Sequence, residues 1–441
     1  PRAHLPIYFH LVNNKLILVV FFLLISFGKL AVNANRKIGK LHNINWDEYY
    51  NLGSNLGTYP VGKSYPDFSC VGALLSKDGI LGTGTLISPN VLVTAAHVLR
   101  NSLSSPLPLA SDWEFILHSE YKFTPQNTIY QVDNIVIHPA WNERLRKNGG
   151  AGDGDLLGVD LALVFLKKDV VGVYPAKLNY GNIETVGDKV FLAGFGSLAD
   201  GFSGVLNQDN SKRVGGVNSL DRVVVKVNAP QVDESERGGL LAIDFDSPLR
   251  NTNSLGENAS VVDYLGYGTS NPTPLDLEAG TVVGDSGGPA FIMIDGAWRT
   301  IGTVSYGTSD SKYGDITVYT RLTSHVEWIQ SYLPNWSQGK KSSFSGWIEL
   351  DWFGTFFNAL NNWNYHSTHG WFYTQYSSGE SFWSWQSNKL GWWWTSRSVY
   401  PFLYSFSLGR WLYIDIEKSD LNKLVYYDYE IKKWKAILGS S

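Results

Sequence analysis

Three separate motifs place a serine, a histidine and an aspartate in one chain. The serine is Ser286 in the hexapeptide GDSGGP, the histidine is His97 in TAAH, and the aspartate is Asp160 in DLAL. A serine hydroxyl is a weak nucleophile at neutral pH unless a base accepts its proton during attack, and imidazole suits that task. A buried carboxylate fixes the tautomer of the imidazole and stabilises the imidazolium. These residue types therefore predict a nucleophile, a general base and an orienting acid.

The local sequence around each motif predicts the element that must hold it. The TAAH motif ends the run 84–97, whose apolar residues are typical of a strand followed by a small-residue turn. The DLAL motif opens the run 160–166, which is typical of a buried strand. Gly284 and Ser286 lie on the turn of the nucleophile, and we expect their backbone N–H groups to form the oxyanion hole. Each such donor contributes roughly 3 to 4 kcal/mol.

Residues from about 61 to 333 resemble a trypsin-like (chymotrypsin-family) serine protease of the bacterial, disulfide-free kind. The resemblance rests on TAAH, DLAL and GDSGGP in this order, and on Ser305-Tyr306-Gly307 downstream of the nucleophile. It implies an all-β fold of two antiparallel six-stranded β-barrels, with the catalytic residues in the cleft between them. The segment 323–333 resembles the C-terminal helix that closes the family fold.

The resemblance also implies a substrate-binding pocket. The Ser305-Tyr306-Gly307 strand is expected to line this pocket and to pair with the substrate backbone. Gly280 stands at the pocket floor, where an Asp would select Arg and Lys, and Thr317 stands in the wall. Since both are uncharged, a buried cation would find no partner, and we expect cleavage after apolar or small residues. Glu278 is the alternative, because it lies two residues from the floor position and could favour a basic residue.

The activation signal of the family is harder to place. In the family, cleavage of a propeptide creates an Ile or Val N-terminus whose amine pairs with the Asp before the nucleophile, here Asp285. The dipeptide Val61-Gly62 is the nearest match, but Pro60 before it is an awkward cleavage position. Either Asp285 has another cationic or hydrogen-bonding partner, or activation occurs elsewhere between residues 34 and 61.

The chain between Asp160 and Ser286 is longer than such proteases usually need. Its acidic side chains in 233–236, Asp244 and Asp246 are expected to lie in solvated loops and strand edges. A calcium site is the alternative, because carboxylates at alternate positions can converge on one hard cation. We expect no metal ion and no cofactor.

Length and composition predict several parts, because 441 residues exceed one protease domain of this kind. A lysine, a 12-residue apolar run and a small-residue site predict a signal peptide, with an uncleaved anchor as the alternative. The expected parts are a signal peptide (1–34), a propeptide or N-terminal extension (35–60), the protease domain (61–334), a linker (335–343) and a second domain (344–441). The net charge of −4 gives no indication of nucleic-acid binding.

Cys70 is the only cysteine, so no disulfide can form within the chain. Its neighbours, residues 68–74, have a strand-like pattern, and we expect a buried small side chain rather than a reactive thiol. The protease domain must therefore be held together by its core.

Residues 344–437 hold 11 of the 17 tryptophans, in four units of about 20 residues. Each unit has aromatic residues at alternate positions on both sides of a short polar turn, which is typical of a β-hairpin. Repeated hairpins bury one shared face by stacking. This tail resembles the Trp/Tyr-rich C-terminal modules of exported bacterial proteins. Its aromatic residues are expected to form a core, and exposed platforms for sugar rings are the alternative.

The sequence as a whole predicts an exported bacterial serine endopeptidase that acts on protein or peptide substrates through an acyl-enzyme. The protein would be secreted or associated with the cell envelope, and its tail would bind an envelope or polysaccharide ligand. The alternative is a non-catalytic surface-binding protein that uses the protease fold as a scaffold. The intact Ser286, His97 and Asp160 favour the enzyme.

Overall fold

The computed structural model describes most of the chain after residue 37. The described residues are 38–147, 156–179, 181–206, 208–257, 264–281, 284–307, 311–333, 340–341, 346–350, 352–359, 362–376, 381–387 and 390–438. The predicted signal peptide and most of the predicted linker lie outside the described residues. Within this part of the chain, no helix has the length and apolar character needed to cross a membrane.

The first half of the predicted protease domain forms a closed antiparallel barrel of six strands in the order β2-β3-β4-β7-β6-β5. The elements up to the end of this barrel are β1 (Ile38–Lys40), α1 (Trp46–Gly53), β2 (Val71–Ser76), β3 (Leu81–Ser88), β4 (Val91–Thr94), α2 (Ala96–Leu99), β5 (Trp113–Ile116), β6 (Ile129–Ile137), α3 (Pro139–Lys147) and β7 (Ala162–Leu166). Strand β4 is buried at all four positions, and β7 is buried at four of its five positions.

The second half forms a curled sheet in the order β12-β9-β16-β17-β18-β14-β13, with β8 on the side of β17. Its elements are β8 (Lys177–Leu178), β9 (Lys189–Gly194), β10 (Leu198–Asp200), β11 (Gly204–Val205), β12 (Val214–Ser219), β13 (Arg222–Val224), β14 (Leu240–Asp244), β15 (Ala279–Gly280), β16 (Pro289–Ile294), β17 (Ala297–Gly307), β18 (Ile316–Arg321) and α4 (Val326–Tyr332). Short 3-10 turns cover Phe68–Cys70, Ala110–Asp112, Gln126–Thr128, Glu234–Glu236 and Leu322–His325.

The all-β prediction is confirmed, with one difference in the second barrel. The first barrel closes through backbone pairing, whereas the second is a half-barrel whose path ends at β12 and β13. A side chain bridges the gap: Asn218 Nδ2 on β12 donates to Asp244 O at 2.9 Å and to Ala279 O at 3.0 Å. The second sheet is open because β13 pairs with β14 and not with β12, which precedes it in the chain.

The segment before the first barrel packs against the second sheet. Strand β1 lies between β10 and β15 in a small four-stranded sheet. Helix α1 lies on β12, where Gly53 and Gly215 approach so closely that a Cβ on Gly215 would lie 2.7 Å from Gly53 N. Arg213, which is buried, donates through Nε to Gly53 O at 2.6 Å and through Nη1 to Val71 O at 2.8 Å. The division predicted at residue 60 stays a prediction, but residues 38–60 are part of the described fold.

One large apolar cluster joins the two halves of the predicted protease domain. It includes Phe115 from the first barrel, Trp141 from α3, and Phe191 and Phe291 from the second sheet. Cys70 is buried in the same cluster, and burial raises the pKa of its thiol to about 12. The thiol is therefore protonated at neutral pH, as expected of a structural cysteine.

The tail is one antiparallel sheet in which each strand pairs with the next along the chain. Its strands are β19 (Lys340–Lys341), β20 (Trp347–Leu350), β21 (Gly354–Asn358), β22 (Trp363–His366), β23 (Gly370–Tyr376), β24 (Ser381–Gln386), β25 (Gly391–Ser396), β26 (Phe402–Ser405), β27 (Arg410–Ile414), β28 (Lys423–Asp428) and β29 (Lys433–Leu438). The predicted series of hairpins is confirmed.

The two faces of this sheet differ in burial. Trp393 is fully buried with Phe372, Phe382, Leu403 and Leu412 in a separate apolar cluster. Because successive side chains of a strand point to opposite faces, the neighbours of Trp393 lie on the other face. Trp392 and Trp394 are half-buried there, beside the aromatic residues of adjacent strands. The sheet thus has an aliphatic and aromatic core on one face and a second set of aromatic rings on the other.

Candidate active site

The structure brings the three predicted catalytic residues into one hydrogen-bonded chain. His97 Nε2 lies 2.9 Å from Ser286 Oγ, and His97 Nδ1 lies 2.6 Å from Asp160 Oδ2. The second carboxylate oxygen, Asp160 Oδ1, accepts a hydrogen bond from the backbone N–H of His97 at 2.9 Å. All three side chains are buried. This arrangement can transfer a proton from the serine to the imidazole. Asp160 holds His97 in place through both the backbone N–H and the ring of the histidine.

Strand pairing explains why His97 and Asp160 meet. Strand β4 ends at Thr94, which pairs with Ala162 on β7, so that the residues just beyond β4 face the residues just before β7. His97 lies on the short helix α2 that follows β4, and Asp160 lies two residues before β7. The first barrel therefore supplies both the base and the acid.

Ser286 comes from the turn between β15 and β16, and this turn is bonded to both halves of the predicted protease domain. Ser286 O accepts from Thr83 N on β3 at 2.8 Å, and Gly287 N donates to Val304 O on β17 at 2.9 Å. Gly287 has a φ of 82°, and a Cβ at this position would lie 2.1 Å from Thr94 Oγ1. Only glycine fits here, since both the backbone angle and the close contact exclude a side chain.

Asp160 is kept ionised by its neighbours. Burial by itself raises the pKa of this carboxyl, but the charge and hydrogen bonds of His97 and the hydroxyl of Ser305 hold it below its usual range. Ser305 Oγ donates to Asp160 Oδ2 at 2.6 Å. The side chain of Ser305 thus bonds the predicted catalytic acid. That the strand of Ser305 lines the pocket and pairs with the substrate backbone stays a prediction.

The oxyanion-hole prediction concerns Gly284 and Ser286. Gly284 has a φ of 105°, an angle that side-chain-bearing residues rarely adopt, and its carbonyl accepts from Thr83 Oγ1 at 3.0 Å. This conformation fixes the peptide planes of the nucleophile turn without a strained side chain. That the two N–H groups bind an oxyanion stays a prediction.

The sequence left open whether Asp285 has a hydrogen-bonding partner other than a new N-terminus, and the structure shows one. Its Oδ1 accepts from the backbone N–H of Gly196 at 3.0 Å. Space for the carboxylate is made by Gly194, where a Cβ would lie 2.0 Å from the same oxygen. Asp285 is buried beside Tyr319, and burial chiefly raises the pKa of that phenol.

The predicted pocket residues lie on β15 of the small four-stranded sheet and on the paired strands β17 and β18. Gly280 is on β15, Thr317 is on β18, and Tyr306 and Gly307 end β17, which pairs with β18. Thr317 Oγ1 accepts from Thr281 N at 3.1 Å and lies 2.9 Å from Thr281 Oγ1. The predicted floor and wall therefore carry no charge.

Both carboxylate oxygens of Glu278 accept hydrogen bonds from the backbone, which argues against Glu278 as the anion of the pocket. Its Oε1 accepts from Asp246 N at 2.7 Å, and its Oε2 accepts from Leu275 N at 2.6 Å. Burial chiefly raises the pKa of this carboxyl to about 7. Because both oxygens bind the backbone of the loop before β15, Glu278 supports the loop rather than the pocket interior.

Comparison with known proteins agrees with this geometry. A family model described as Trypsin matches residues 62–229 and 250–329, which together make up more than half of the chain and include Ser286, His97 and Asp160. The chain belongs to the trypsin family.

Two relatives show how far the similarity extends along the chain. Chymotrypsin-C of Bos taurus is 26% identical over 265 residues, which cover 57% of this chain and 77% of chymotrypsin-C. Spermosin of Halocynthia roretzi is 44% identical over 55 residues, which cover 12% of this chain and 14% of spermosin. The matched trypsin-family region ends at residue 329, before the aromatic tail.

The sequence did not indicate that the N-terminal segment contacts the strand of the predicted pocket floor. Gly39 on β1 pairs with Gly280, and Tyr49 of α1 donates through its hydroxyl to Glu278 O at 2.9 Å. The same hydroxyl accepts from Leu41 N at 2.9 Å. The apolar spacing of Tyr49 and Leu52 in α1 was the available signal, because both are fully buried.

The acidic residues considered for calcium do not form one group. Glu234 is exposed and pairs with Lys226 at 2.9 Å, whereas Asp244 and Asp246 are buried near Glu278. Our expectation of solvated acids therefore fits the 233–236 loop but not Asp244 and Asp246. In the described residues no cluster of three or more His, Cys, Asp or Glu side chains could hold a metal ion.

Proposed function

We propose that this trypsin-family protein is an exported serine endopeptidase that cuts peptide bonds through an acyl-enzyme. The observation that carries the proposal is the hydrogen-bonded chain from Ser286 Oγ through His97 to Asp160. Ser286 Oγ attacks the carbonyl carbon of the substrate while His97 Nε2 takes its proton. The imidazolium, stabilised by Asp160, then gives this proton to the leaving amine.

The second half of the reaction uses the same groups. After the amine leaves, the acyl group is bound to Ser286, and a water molecule attacks it with His97 as the base. The N–H groups of Gly284 and Ser286 stabilise the negative oxygen in both tetrahedral intermediates. This assignment is supported by the φ of Gly284 and by the bonds of the nucleophile turn to β3 and β17.

The residue before the cut bond is apolar or small in this proposal. Gly280 and Thr317 are uncharged, and both oxygens of Glu278 bind backbone N–H groups. A lysine or arginine side chain would lose its hydration in the pocket without gaining an ion pair there. Protein and peptide chains are thus the proposed substrates, and the residue before the cut bond is not Arg or Lys.

The position of β1 supports activation by a cut between Lys37 and Ile38. Ile38 pairs with Leu198, two residues beyond Gly196, whose N–H binds Asp285. A chain that began at Ile38 would place a new amine near the carboxylate that the family uses for this purpose. Val61, the residue suggested by the sequence, is exposed and more than half accessible to solvent. N-terminal sequencing of the active form distinguishes the two positions.

The tail serves for attachment to a surface or polymer in this proposal. Cross-strand pairs on its outer face are aromatic, including Trp363 with Tyr373 and Trp394 with Tyr404. Trp371 and Trp411 are 54% and 41% exposed on this sheet. Exposed aromatic rings stack on the faces of sugar rings, so a cell-envelope or other polysaccharide is the ligand class. The protein would then be secreted or held at the cell envelope of a bacterium.

The alternative is a non-catalytic surface-binding protein that uses the protease fold as a scaffold. One measurement distinguishes it from the enzyme. A fluorophosphonate probe reacts with an activated serine and should label Ser286 in the wild-type protein cut before Ile38. Ser286→Ala should remove the label, and Ser305→Ala, a nearby serine that bonds Asp160, should retain part of it. A processed, folded protein that takes up no probe would favour the scaffold.

A further inference from the structure

The outer face of the tail sheet carries its aromatic side chains in rows that cross the strands. In one row Trp383 on β24, Trp394 on β25, Tyr404 on β26 and Trp411 on β27 lie directly opposite one another in the backbone pairing. Three further rows of four aromatic residues are built in the same way: Trp347-Phe357-Tyr365-Trp371, Trp363-Tyr373-Trp385-Trp392 and Phe402-Tyr413-Tyr427-Trp434. We call these the aromatic rows and number them first to fourth in chain order.

Successive aromatic rows are displaced by one hairpin and share two strands. The first row begins on β20, the second on β22, the third on β24 and the fourth on β26. On the shared strand β24, Trp385 belongs to the second row and Trp383, two positions away, belongs to the third. Two strand spacings advance each row by about 10 Å across the sheet. The repeat of about 20 residues in the sequence thus becomes a spatial repeat of equivalent aromatic surfaces.

The rings of the rows support one another and remain partly open to solvent. The ring centroids of Trp394 and Trp411 are 5.9 Å apart, and the two rings meet edge to face at 80°. Each row also has one tryptophan that is more than a third exposed: Trp371 at 54%, Trp363 at 37%, Trp411 at 41% and Trp434 at 52%. Because neighbouring rings hold them, these tryptophans need little ordering when a ligand binds.

The chain that builds most of the first three rows is nearly without charge. Between residues 352 and 409 the only Asp, Glu, Lys and Arg residues are Glu380, Lys389 and Arg397. An anionic polymer would find few cations on this surface, and a charged peptide would lose hydration without gaining ion pairs. The surface therefore fits an uncharged ligand.

The repeat and the flat rings indicate which uncharged polymer fits. Sugar rings linked β-1,4 have apolar faces made of C–H groups, which stack on aromatic rings, and hydroxyl groups around their edges. Successive sugars of such a chain are turned over, so equivalent faces recur at every second sugar, a length similar to the step between rows. A chain linked α-1,4 coils instead and does not keep its faces in one line.

We propose that the four aromatic rows form one binding site for a single extended chain of a neutral β-1,4-linked glycan. Each row binds one pair of sugars, and the glycan runs across the strands of the sheet. The proposal rests on the proposed attachment function of the tail and gives that function a ligand class and a length. Because four similar subsites act on one polymer, affinity rises with chain length until every row is occupied.

Titration of the full chain with soluble oligomers tests this length dependence. Ser286→Ala protein, which cannot digest itself, is titrated with β-1,4-linked oligomers of glucose and of N-acetylglucosamine, and tryptophan fluorescence reports binding. Each added pair of sugars should lower Kd at least about threefold, with a plateau at about eight sugars, two for each of four rows. Oligomers of glucose linked α-1,4 should bind at least about tenfold more weakly at the same length. Added salt should change Kd by less than about twofold, because no ion pairs are involved.

Variants of the two middle rows test the assignment of the residues. Trp363→Ala/Trp411→Ala should weaken binding of the eight-sugar oligomer at least about tenfold and remove most of the dependence on length. Trp363→Phe/Trp411→Phe keeps a flat ring in both rows and should restore much of the binding. Tyr174→Ala, a change at an aromatic residue that is 86% exposed outside the tail, is the matched control and should have no effect. The single alanine variants serve if the double variant folds poorly, and each should weaken binding of the longest oligomer.

Three results would overturn the proposal. The first is an affinity for β-1,4-linked oligomers that does not increase with length, and the second is equal binding of the α-1,4-linked series. The third is a folded double alanine variant with unchanged binding. Sedimentation with cell envelope or an anionic polysaccharide, without binding of neutral β-1,4-linked oligomers, would also overturn it but would leave the attachment function intact. Absence of binding to every polysaccharide and to cell envelope would contradict the attachment function as well.

Discussion

Gly39 lies directly opposite Gly280 where β1 pairs with β15, and Ser311 covers both glycines. A Cβ on Gly39 would lie 2.1 Å from Ser311 Oγ, and a Cβ on Gly280 would lie 3.0 Å from the same atom. A segment close to the N-terminal end of the described chain thereby forms the support of the predicted pocket floor. We therefore expect substrate selection to depend also on residues far outside the catalytic motifs.

Replacement of Gly39 by valine should disturb the pocket and spare the triad. The new side chain cannot fit against Ser311, so β1 or β15 must shift. We expect kcat/KM for p-nitroanilides to fall about tenfold or more, because small misplacements of binding groups are costly. Labelling of Ser286 by a fluorophosphonate at saturation should persist. Gly62→Val is the control, since a Cβ there meets no atom within 4 Å; an unchanged KM in Gly39→Val would contradict the support role.

Loss of any triad member should be severe and not additive. Ser286→Ala and His97→Ala should each lower kcat by roughly 10⁴ to 10⁶, and Asp160→Asn by about 10⁴ through the wrong imidazole tautomer. The Ser286→Ala/His97→Ala double variant should be little worse than either single variant. Steady-state kinetics with p-nitroanilides measures this. Losses that add up would show that the residues do not act as one unit.

Substrate profiling should show cleavage after apolar or small residues and little after Arg or Lys. Gly280→Asp should shift part of the preference towards basic residues, because it adds an anion at the predicted pocket floor. Glu278→Gln tests the alternative assignment and should leave the profile unchanged, since both oxygens of Glu278 bind backbone N–H groups. Strong wild-type cleavage after Arg that Glu278→Gln abolishes would show that Glu278, and not position 280, determines the preference.

The buried acids near β14 should make the protein less stable at alkaline pH. Burial, followed by the charges of Asp244 and Glu278, raises the pKa of Asp246 to about 8. The folded protein therefore holds a proton that the unfolded chain releases above its ordinary pKa of about 4. This stabilisation is complete below that value and is lost as the pH rises towards about 8, so the free energy of unfolding should fall over this range.

Asp246→Asn should flatten that dependence. The amide stays neutral at every pH, so the variant should lose less stability than its parent between pH 5 and pH 9. Urea unfolding of Ser286→Ala proteins, which cannot digest themselves, measures the difference. Asp133→Asn, a change at an exposed aspartate of β6, is the matched control. Equal slopes for Asp246→Asn and its parent would show that Asp246 does not titrate in this way.

The two faces of the tail sheet should respond differently to loss of a tryptophan. Trp393 is fully buried, and Trp393→Ala should destabilise the sheet by about 3 to 5 kcal/mol. Trp371→Ala and Trp411→Ala, on the outer face, should keep the fold and weaken sedimentation with insoluble polysaccharide or purified cell envelope. A chain that ends at Ser337 should lose this binding and still cut small peptides. An inactive or insoluble shortened chain would mean that the tail is part of the protease core.

The amino-acid sequence was sufficient to predict the candidate catalytic residues and the general plan of the fold. Ser286, His97 and Asp160 could be found because each is part of a short motif whose neighbours form one local turn or strand. The two faces of the tail could be anticipated at Trp392, Trp393 and Trp394, because side chains alternate strictly along a strand. Such signals are contained within a few consecutive residues, and a local pattern is enough to read them.

The way in which distant segments complete the site became visible only in the folded protein. Ser305 binds Asp160 across 145 positions of sequence, and Tyr49 binds the backbone of Glu278 across 229. Neither contact leaves a local pattern, because each depends on how strands from different parts of the chain lie side by side. The same is true of β1, which pairs with β15 at Gly280. Side-chain types were set by the sequence, but their partners were set by the packing of the two halves.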